Sequence, residues 1–204
     1  HDRALDNNIS LQKIYEMVEN YRKYDDETPL VLMGYLNTFI FNKKLIEDNQ
    51  NNVIDSVLVV DIPGELNLKD YGVYNSNINT ISLISPTTKK DRVESIAKNS
   101  SGFVYYVTLR GVTGASNLDV NEINSNIEEI KKYATVPTLA GFGIKSAEDA
   151  RLLSDCSDGV IIGSSIVKMI EEESSSKEFD RIGSYISEIK KAISWAYFKI
   201  FYQV

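Results

Sequence analysis

Six short apolar runs alternate with amphipathic stretches along the chain, and this alternation constrains the fold more than any other feature. Most of the runs are nearly continuous in Val, Ile, Leu and Tyr, as strands are when helices cover both faces of a parallel sheet. Successive runs begin far enough apart for a crossover helix between them. The six predicted strands cover residues 30–35, 56–62, 79–85, 102–108, 136–143 and 158–164.

Apolar residues at helical spacing fill the segments between the predicted strands. Ser10 is the predicted N-cap of the first helix. One face of that helix carries four apolar side chains: Leu11, Ile14, Val18 and Tyr21. Further helices are predicted over residues 89–98, 120–134, 147–153, 166–172 and 179–197.

Composition limits the classes of function. The chain has 204 residues, enough for one domain with a sizeable core. A net charge of −7 and scattered basic residues argue against nucleic acid and anionic membranes as partners. Cys156 is the single cysteine and His1 the single histidine, which argues against disulfides, thiolate or imidazole metal sites and histidine catalysis. No apolar run reaches the ~18 residues of a membrane span.

Strict β/α alternation is typical of two architectures, the doubly wound sheet and the (β/α)8 barrel, and the pattern alone leaves both open. Six units are two short of a barrel, and the sequence begins inside a unit. A barrel whose first two strands are not represented in this chain would explain both observations. The expected fold is therefore an α/β chain of the (β/α)8 type, with residues 1–204 forming one N-terminally incomplete barrel domain.

Three consecutive predicted strands end in glycine-rich loops at residues 111–114, 141–143 and 163–165. In parallel β/α folds, function gathers at the C-terminal ends of the strands. The loop 163–165 opens a helix, so its backbone N–H groups point outward at the positive end of the helix dipole. Barrels commonly bind phosphate with the loops after strands seven and eight. The last two loops therefore predict a phosphate cradle, although a glycine at a strand end is more often only a turn.

Other polar residues near strand ends permit more than one interpretation. Asp61 ends an apolar strand and is a candidate acid or base, or else a carboxylate that caps a loop or meets a partner protein. Tyr105 and Tyr106 alternate along a strand, so one faces the barrel interior and the other the helices. Both are by default core aromatics with a hydrogen-bonded hydroxyl. Cys156 is expected to be packed or half-exposed.

Three motifs together resemble the tryptophan synthase alpha subunit family: GFVYYVTLRGVTGA, PTLAGFGI and DGVIIGSSIVK. The resemblance extends upstream through DSVLVVDIPGE, TPLVLMGYLNTFIF and RALDNNISLQKIYEMV, and so covers nearly the whole chain. It implies a (β/α)8 barrel and a carbon–carbon lyase of tryptophan biosynthesis. The implied reaction is retro-aldol cleavage of indole-3-glycerol phosphate to indole and glyceraldehyde 3-phosphate.

The resemblance also implies roles for individual residues. Tyr105 matches the strand tyrosine near the reacting glycerol chain, and Thr113 matches the loop threonine that bonds the catalytic aspartate on loop closure. Asp61 and Pro63 match positions that face the beta subunit, which replaces the acid–base interpretation of Asp61. The implied phosphate-binding residues are Gly114, Phe142, Gly143, Gly163 and Ser164. The implied indole pocket contains Tyr35, Leu58 and Leu83.

The chain departs from the family pattern in its acids. The family uses a glutamate on strand two and an aspartate in the following loop. No carboxylate of these 204 residues matches either residue. The resemblance places both positions before residue 1. One alternative is therefore a non-catalytic phosphate-binding barrel that regulates or scaffolds a beta-type partner. A barrel enzyme for prenyl or sugar phosphates would explain loops 141–143 and 163–165 but not GVTG.

The remaining expectations also follow from the resemblance. It implies no metal and no cofactor in this subunit, pyridoxal phosphate in a beta-subunit partner, and an a2b2 complex in the cytoplasm or plastid stroma. The C-terminal stretch AISWAYFKIFYQV is longer and more aromatic than expected for the family, and its expected role is helix packing, with membrane contact as the lesser alternative.

Overall fold

A computed structural model of the chain describes residues 9–49, 52–108, 120–141, 143–174 and 179–193, and the backbone of residues 201–202. The chain divides into two compact units, His1–Ile81 and Ser82–Val204. The boundary falls within one strand, and each unit has its own apolar core.

The first unit contains the following described elements in chain order: helix α1 (Leu11–Arg22), strand β1 (Val31–Gly34), the short helices α2 (Leu36–Phe41) and α3 (Lys43–Glu47), strand β2 (Ser56–Val59), a 3₁₀ turn (Leu68–Tyr71) and the first half of strand β3 (Asn79–Ile84). Strand β2 pairs in parallel with both β1 and β3, and Leu58 lies between Met33 and Ile81. The opposite side chains of β2, Val57 and Val59, join the core cluster of this unit.

An arginine at the end of α1 ties that helix to the segments around the strands. The Arg22 guanidinium donates to the carbonyl oxygens of Val53 at 3.0 Å and Thr28 at 2.7 Å. The guanidinium also forms an ion pair with the Asp55 carboxylate at 2.5 Å. The same carboxylate accepts a hydrogen bond from the Leu30 N–H at 2.7 Å. The Arg22 side chain is 12% exposed and the Asp55 side chain 39%, so water screens this ion pair from one side only.

The second unit contains the following described elements: the second half of β3, α4 (Lys90–Asn99), β4 (Val104–Val107), α5 (Val120–Lys131), β5 (Thr138–Gly141), α6 (Ala147–Ser154), β6 (Gly159–Ile162), α7 (Ser164–Glu173), α8 (Asp180–Ala192) and β7 (Phe201–Tyr202). Strands β3 to β7 are all parallel and pair in chain order. One side of β3 to β6 packs with the helices in a single buried cluster, which includes Tyr106, Ile127, Leu153, Val160 and Ile189.

All six predicted strands are confirmed, but each is shorter than predicted. Apolar residues that flank the paired segments, such as Phe103 and Ile144, are buried in loops without belonging to a strand. Apolar character therefore marks burial, while the ends of a strand depend on backbone pairing. The short helices α2 and α3 were not predicted, because the apolar residues between β1 and β2 follow no clear period.

The predicted N-cap of α1 is confirmed, since the Ser10 side chain accepts from the Lys13 N–H at 3.2 Å. The predicted apolar face is confirmed at Leu11 and Val18, which pack against the core cluster of the first unit, and is wrong at the other two positions. Ile14 and Tyr21 are exposed, and the buried residue of α1 is Tyr15, whose hydroxyl donates to Asn49 at 2.8 Å. Tyr15 shares the inward face with Leu11 and Val18, and its buried hydrogen bond is the contact that the apolar spacing does not show.

Predictions for the C-terminal region are confirmed only in part. Helix α8 is present but ends at Ala192, before the predicted end, and residues 194–200 lie outside the described residues. Phe201–Tyr202, beyond the predicted helix, forms strand β7, which was not predicted. Within the described part of the chain, no helix has both the length and the apolar character needed to cross a membrane.

We predict that Gly141→Ala destabilises the second unit. An added Cβ at Gly141 would collide with the carbonyl oxygen of Ile161 on β6 and lie 2.8 Å from its Cβ. We expect a loss of about 1–3 kcal/mol in the free energy of unfolding, measured by urea denaturation. The control is Gly183→Ala on α8, where no atom lies within 4 Å of the new Cβ. This variant should gain about 0.5–1 kcal/mol. Wild-type stability in Gly141→Ala would contradict the close approach of the two strands.

Candidate active site

Two loops leave the same edge of the second unit. Strand β5 ends at Gly141, which pairs in parallel register with Ile161 of β6. Parallel neighbours end at one edge of a sheet, so the loops that begin after these strands emerge side by side. These are the loops that contain Gly143 and Gly163, two of the predicted phosphate-binding residues.

Gly143 needs the backbone freedom of glycine. Its φ is +69°, in the left-handed region that other residues adopt only with strain. The turn directs the next residue, Ile144, into the core, where it is 3% exposed. Phe142, predicted to belong to the same cradle, lies outside the described residues.

The N-terminus of α7 follows the second loop directly. Gly163 is its N-cap residue and has no side chain with which to cap the first turn. The backbone N–H groups of Ser164 and Ser165 have no carbonyl partner within the helix. No acidic residue occupies the first turn of this described helix, so its positive end is not neutralised from within. This is the local structure that binds an anion.

A side-chain hydrogen bond joins the two loops. The hydroxyl of Ser165 donates to the carbonyl oxygen of Ile144 at 2.6 Å. This bond fixes the turn at Gly143 relative to the first turn of α7. Sequence reasoning did not assign a role to Ser165, and the only signal for it was the pair of serines after Gly163.

The alternation predicted for Tyr105 and Tyr106 is confirmed. Tyr106 lies in the helix-side core, and its hydroxyl accepts from the Asn126 amide at 2.9 Å. Tyr105 therefore lies on the opposite side of β4, in register with Leu83 and Leu139. Tyr105 is 7% exposed, and burial raises the pKa of its hydroxyl above the usual 10.0. A neutral hydroxyl can both donate and accept a hydrogen bond.

The remaining residues assigned to the loop after β4 are outside the described part of the chain. Thr113 and Gly114 fall within residues 109–119, of which the structure describes none. Their roles in catalysis and phosphate binding remain predictions.

In the first unit, the Asp61 carboxylate caps a helix. It accepts from the N–H of Leu36, the first residue of α2, at 2.7 Å. Tyr35, the N-cap residue of α2, provides no such bond with its own side chain. This contact supports the capping interpretation of Asp61. Both Asp61 and Pro63 are exposed after the end of β2.

The three predicted indole-pocket residues belong to different units. Tyr35 is 44% exposed and Leu58 is 3% exposed in the first unit, where Leu58 lies on the side of β2 opposite Val57 and Val59. Leu83 is half-buried in the second unit, beside Tyr105. A pocket that contains all three remains a prediction.

Neither the cysteine nor the acidic side chains of the described residues form a further reactive site. Cys156 is half-buried against the core of the second unit, and burial raises the pKa of its thiol, as expected for a packed cysteine. Among the described residues, no group of three or more His, Cys, Asp or Glu side chains could hold a metal ion.

The fold and the two joined loops define a class of protein. Parallel β/α units with phosphate-type glycine loops after two consecutive strands, the second opening a helix, are typical of phosphate-binding β/α barrels.

Comparison with known proteins identifies the family. A family model described as tryptophan synthase alpha chain matches residues 1–194. The tryptophan synthase alpha chain of Neisseria meningitidis serogroup B is 42% identical over 200 residues, covering 94% of this chain and 74% of the relative. The chain belongs to the tryptophan synthase alpha chain family.

Solved structures agree with this assignment. The alpha subunit from Legionella pneumophila str. Paris has a TM-score of 0.81 at 30% identity, covering 95% of this chain and 73% of that chain. A tryptophan synthase a2b2 complex from Pyrococcus furiosus contains a chain with a TM-score of 0.81 at 28% identity, covering 94% of this chain and 78% of that chain. The fold is that of the (β/α)8 barrel, and the chain is a lyase with the alpha-subunit role in tryptophan biosynthesis.

Proposed function

We propose that the chain cleaves indole-3-glycerol phosphate to indole and glyceraldehyde 3-phosphate, and that it binds the substrate phosphate between the loop at Gly143 and the N-terminus of α7. The single observation that supports this proposal best is the hydrogen bond from Ser165 to Ile144. It makes one anion-binding surface out of two strand-end loops.

The electrostatics of the second unit support phosphate at this position. The chain carries a net charge of −7, so a phosphate needs a local source of positive potential. The N-terminus of α7 supplies it through oriented backbone dipoles and N–H donors. Because Gly163 has no Cβ, the phosphate oxygens can approach these donors closely.

Tyr105 and Leu83 are assigned to the rest of the substrate. They are register partners on adjacent strands, on the side opposite the helix-packed core. The neutral Tyr105 hydroxyl suits hydrogen bonding to the glycerol chain, and the half-buried Leu83 suits contact with the apolar indole ring. Both residues position the substrate in this proposal.

The proton transfers are not assigned to any described residue. Cleavage needs an acid that protonates indole C3 and a base that takes the glycerol hydroxyl proton. The family carboxylates for these steps match no residue of this chain. We include no cofactor in the cleavage, and assign pyridoxal phosphate to the beta partner.

We also propose that a beta subunit is the partner of this chain. The similar chain from Pyrococcus furiosus belongs to an a2b2 complex. Asp61 and Pro63 are exposed beyond the end of β2 and are the residues assigned to that interface. The alternative of a non-catalytic phosphate-binding barrel that regulates or scaffolds such a partner is tested beside this proposal.

We predict that Ser164→Asp weakens binding of glycerol 3-phosphate by about tenfold or more, because a carboxylate at the first turn of α7 repels the phosphate. Isothermal titration calorimetry measures the affinity. The matched control is Ser95→Asp, which adds the same charge on the exposed side of α4 and should bind like the wild type.

Equal losses in the two variants would contradict the assigned cradle. An assay for indole release from indole-3-glycerol phosphate, with and without a tryptophan synthase beta subunit, separates the two functions. Release supports the lyase, whereas phosphate binding without release under both conditions supports the regulatory barrel.

We predict that Asp61→Asn weakens association with the beta subunit several-fold and leaves the stability of the free chain near the wild-type value. The amide oxygen keeps an acceptor for the Leu36 N–H and removes only the charge. Asp61→Ala removes both the charge and the hydrogen-bond acceptor, and it should lower the free energy of unfolding by about 1 kcal/mol. Surface plasmon resonance and urea denaturation measure the two effects. If Asp61→Asn binds the beta subunit as tightly as the wild type does, the interface role of Asp61 is contradicted and only its capping role remains.

A further inference from the structure

The hydrogen bond between the two loops leaves acceptor capacity on the Ser165 oxygen. The Ser165 hydroxyl donates its one proton to the carbonyl oxygen of Ile144 at 2.6 Å. A serine oxygen also has two lone pairs that accept hydrogen bonds. A neighbouring donor can therefore bond to Ser165 without breaking the link to Ile144.

Tyr185 of α8 presents a buried hydroxyl beside Ser165. Its ring packs against the core cluster of the second unit, and its hydroxyl oxygen is shielded from solvent. Burial raises the pKa of this hydroxyl above the usual 10.0, whereas the nearby Ser165 hydroxyl lowers it. Tyr185 is therefore neutral at pH 7 and has a proton to donate.

The Tyr185 hydroxyl needs a partner. Among the residues that the structure describes, none forms a hydrogen bond of standard geometry with its oxygen. A buried hydroxyl without such a bond is unfavourable. The Ser165 oxygen can accept, and Ser165 is close enough to affect the pKa of Tyr185.

A second acceptor near Tyr185 belongs to the start of α6. The Asp149 carboxylate also raises the pKa of Tyr185. One oxygen of this carboxylate accepts from the N–H groups of Lys145 at 2.9 Å and Ser146 at 3.1 Å. These bonds use that oxygen to cap α6, so Ser165 is the acceptor that we assign to Tyr185.

We propose that Tyr185 is a positioning residue for the phosphate cradle. A small adjustment of the two side chains lets the Tyr185 hydroxyl donate to Ser165, while Ser165 keeps its bond to Ile144. This chain of hydrogen bonds selects one rotamer of Ser165 and holds the first turn of α7 against the turn at Gly143 before phosphate arrives. Holding the cradle in its binding geometry improves affinity. The effect on affinity rests on the proposed function, whereas the contact between Tyr185 and Ser165 does not.

The test removes one hydroxyl at a time from the full chain. Tyr185→Phe keeps the packed ring, and Ser165→Ala removes the acceptor together with the link to Ile144. The double variant completes the cycle. The matched control is Tyr133→Phe, which removes another tyrosine hydroxyl packed against the same core. Tyr133 precedes β5 and so lies at the edge of the sheet opposite the two loops.

Two measurements follow the cycle. Calorimetry with glycerol 3-phosphate measures affinity, and the carbonyl 13C shift of Ile144 in the ligand-free chain reports the hydrogen bond that this carbonyl accepts. We expect Tyr185→Phe to weaken binding about three- to tenfold and to move the Ile144 shift toward its value in Ser165→Ala. In the Ser165→Ala background the same substitution should change neither quantity. Tyr133→Phe should resemble the wild type in both measurements.

Other results overturn the inference or its link to phosphate. Wild-type affinity and an unmoved Ile144 shift in Tyr185→Phe would contradict any action on Ser165. An equal loss of affinity in the Ser165→Ala background would show that Tyr185 acts through another group, such as Asp149. A moved shift with unchanged affinity would contradict the link to phosphate binding, and an equal loss in Tyr133→Phe would reduce the effect to general destabilisation. If the wild-type chain binds no glycerol 3-phosphate, the proposed cradle fails, while the Ile144 shift still decides whether Tyr185 acts on Ser165.

Discussion

The close approach of β5 to β6 at Gly141 is the constraint on which the site of the second unit depends. A side chain at this position would collide with the backbone of Ile161. Its absence lets the two strands end side by side, so that the turn at Gly143 meets the first turn of α7. The hydrogen bond from Ser165 to Ile144 then connects the first turn of α7 to the loop after β5. One missing Cβ therefore determines the geometry of the two loops to which we assign phosphate binding.

In the proposed function, this arrangement lets an acidic protein bind a phosphate through backbone N–H groups. The positive potential comes from the backbone of α7, whose direction is set by the fold. Glycines at the loops keep the approach open, and no charged side chain need be buried to create the site. The proposal assigns substrate binding to the described residues and assigns proton transfer to none of them.

Sequence reasoning identified the features that depend on local pattern. The six strands, the Ser10 cap and the alternation of Tyr105 and Tyr106 all follow from residue preferences and periodicity. It failed where a distant contact decides. Tyr15 of α1 is buried with a hydrogen bond to Asn49, 34 residues away, and Ser165 provides the hydrogen bond between the two glycine loops. Strand β7 exists through its pairing with β6, which no local pattern in an aromatic tail could indicate.

The most direct test of the central claim is a titration of the 15N-labelled chain with glycerol 3-phosphate, followed by NMR amide shifts. The account predicts that the amides of Gly143, Gly163, Ser164 and Ser165 shift together and saturate with one dissociation constant. Amide shifts that cluster elsewhere in the second unit, with these four unmoved, would contradict a cradle built from the two joined loops.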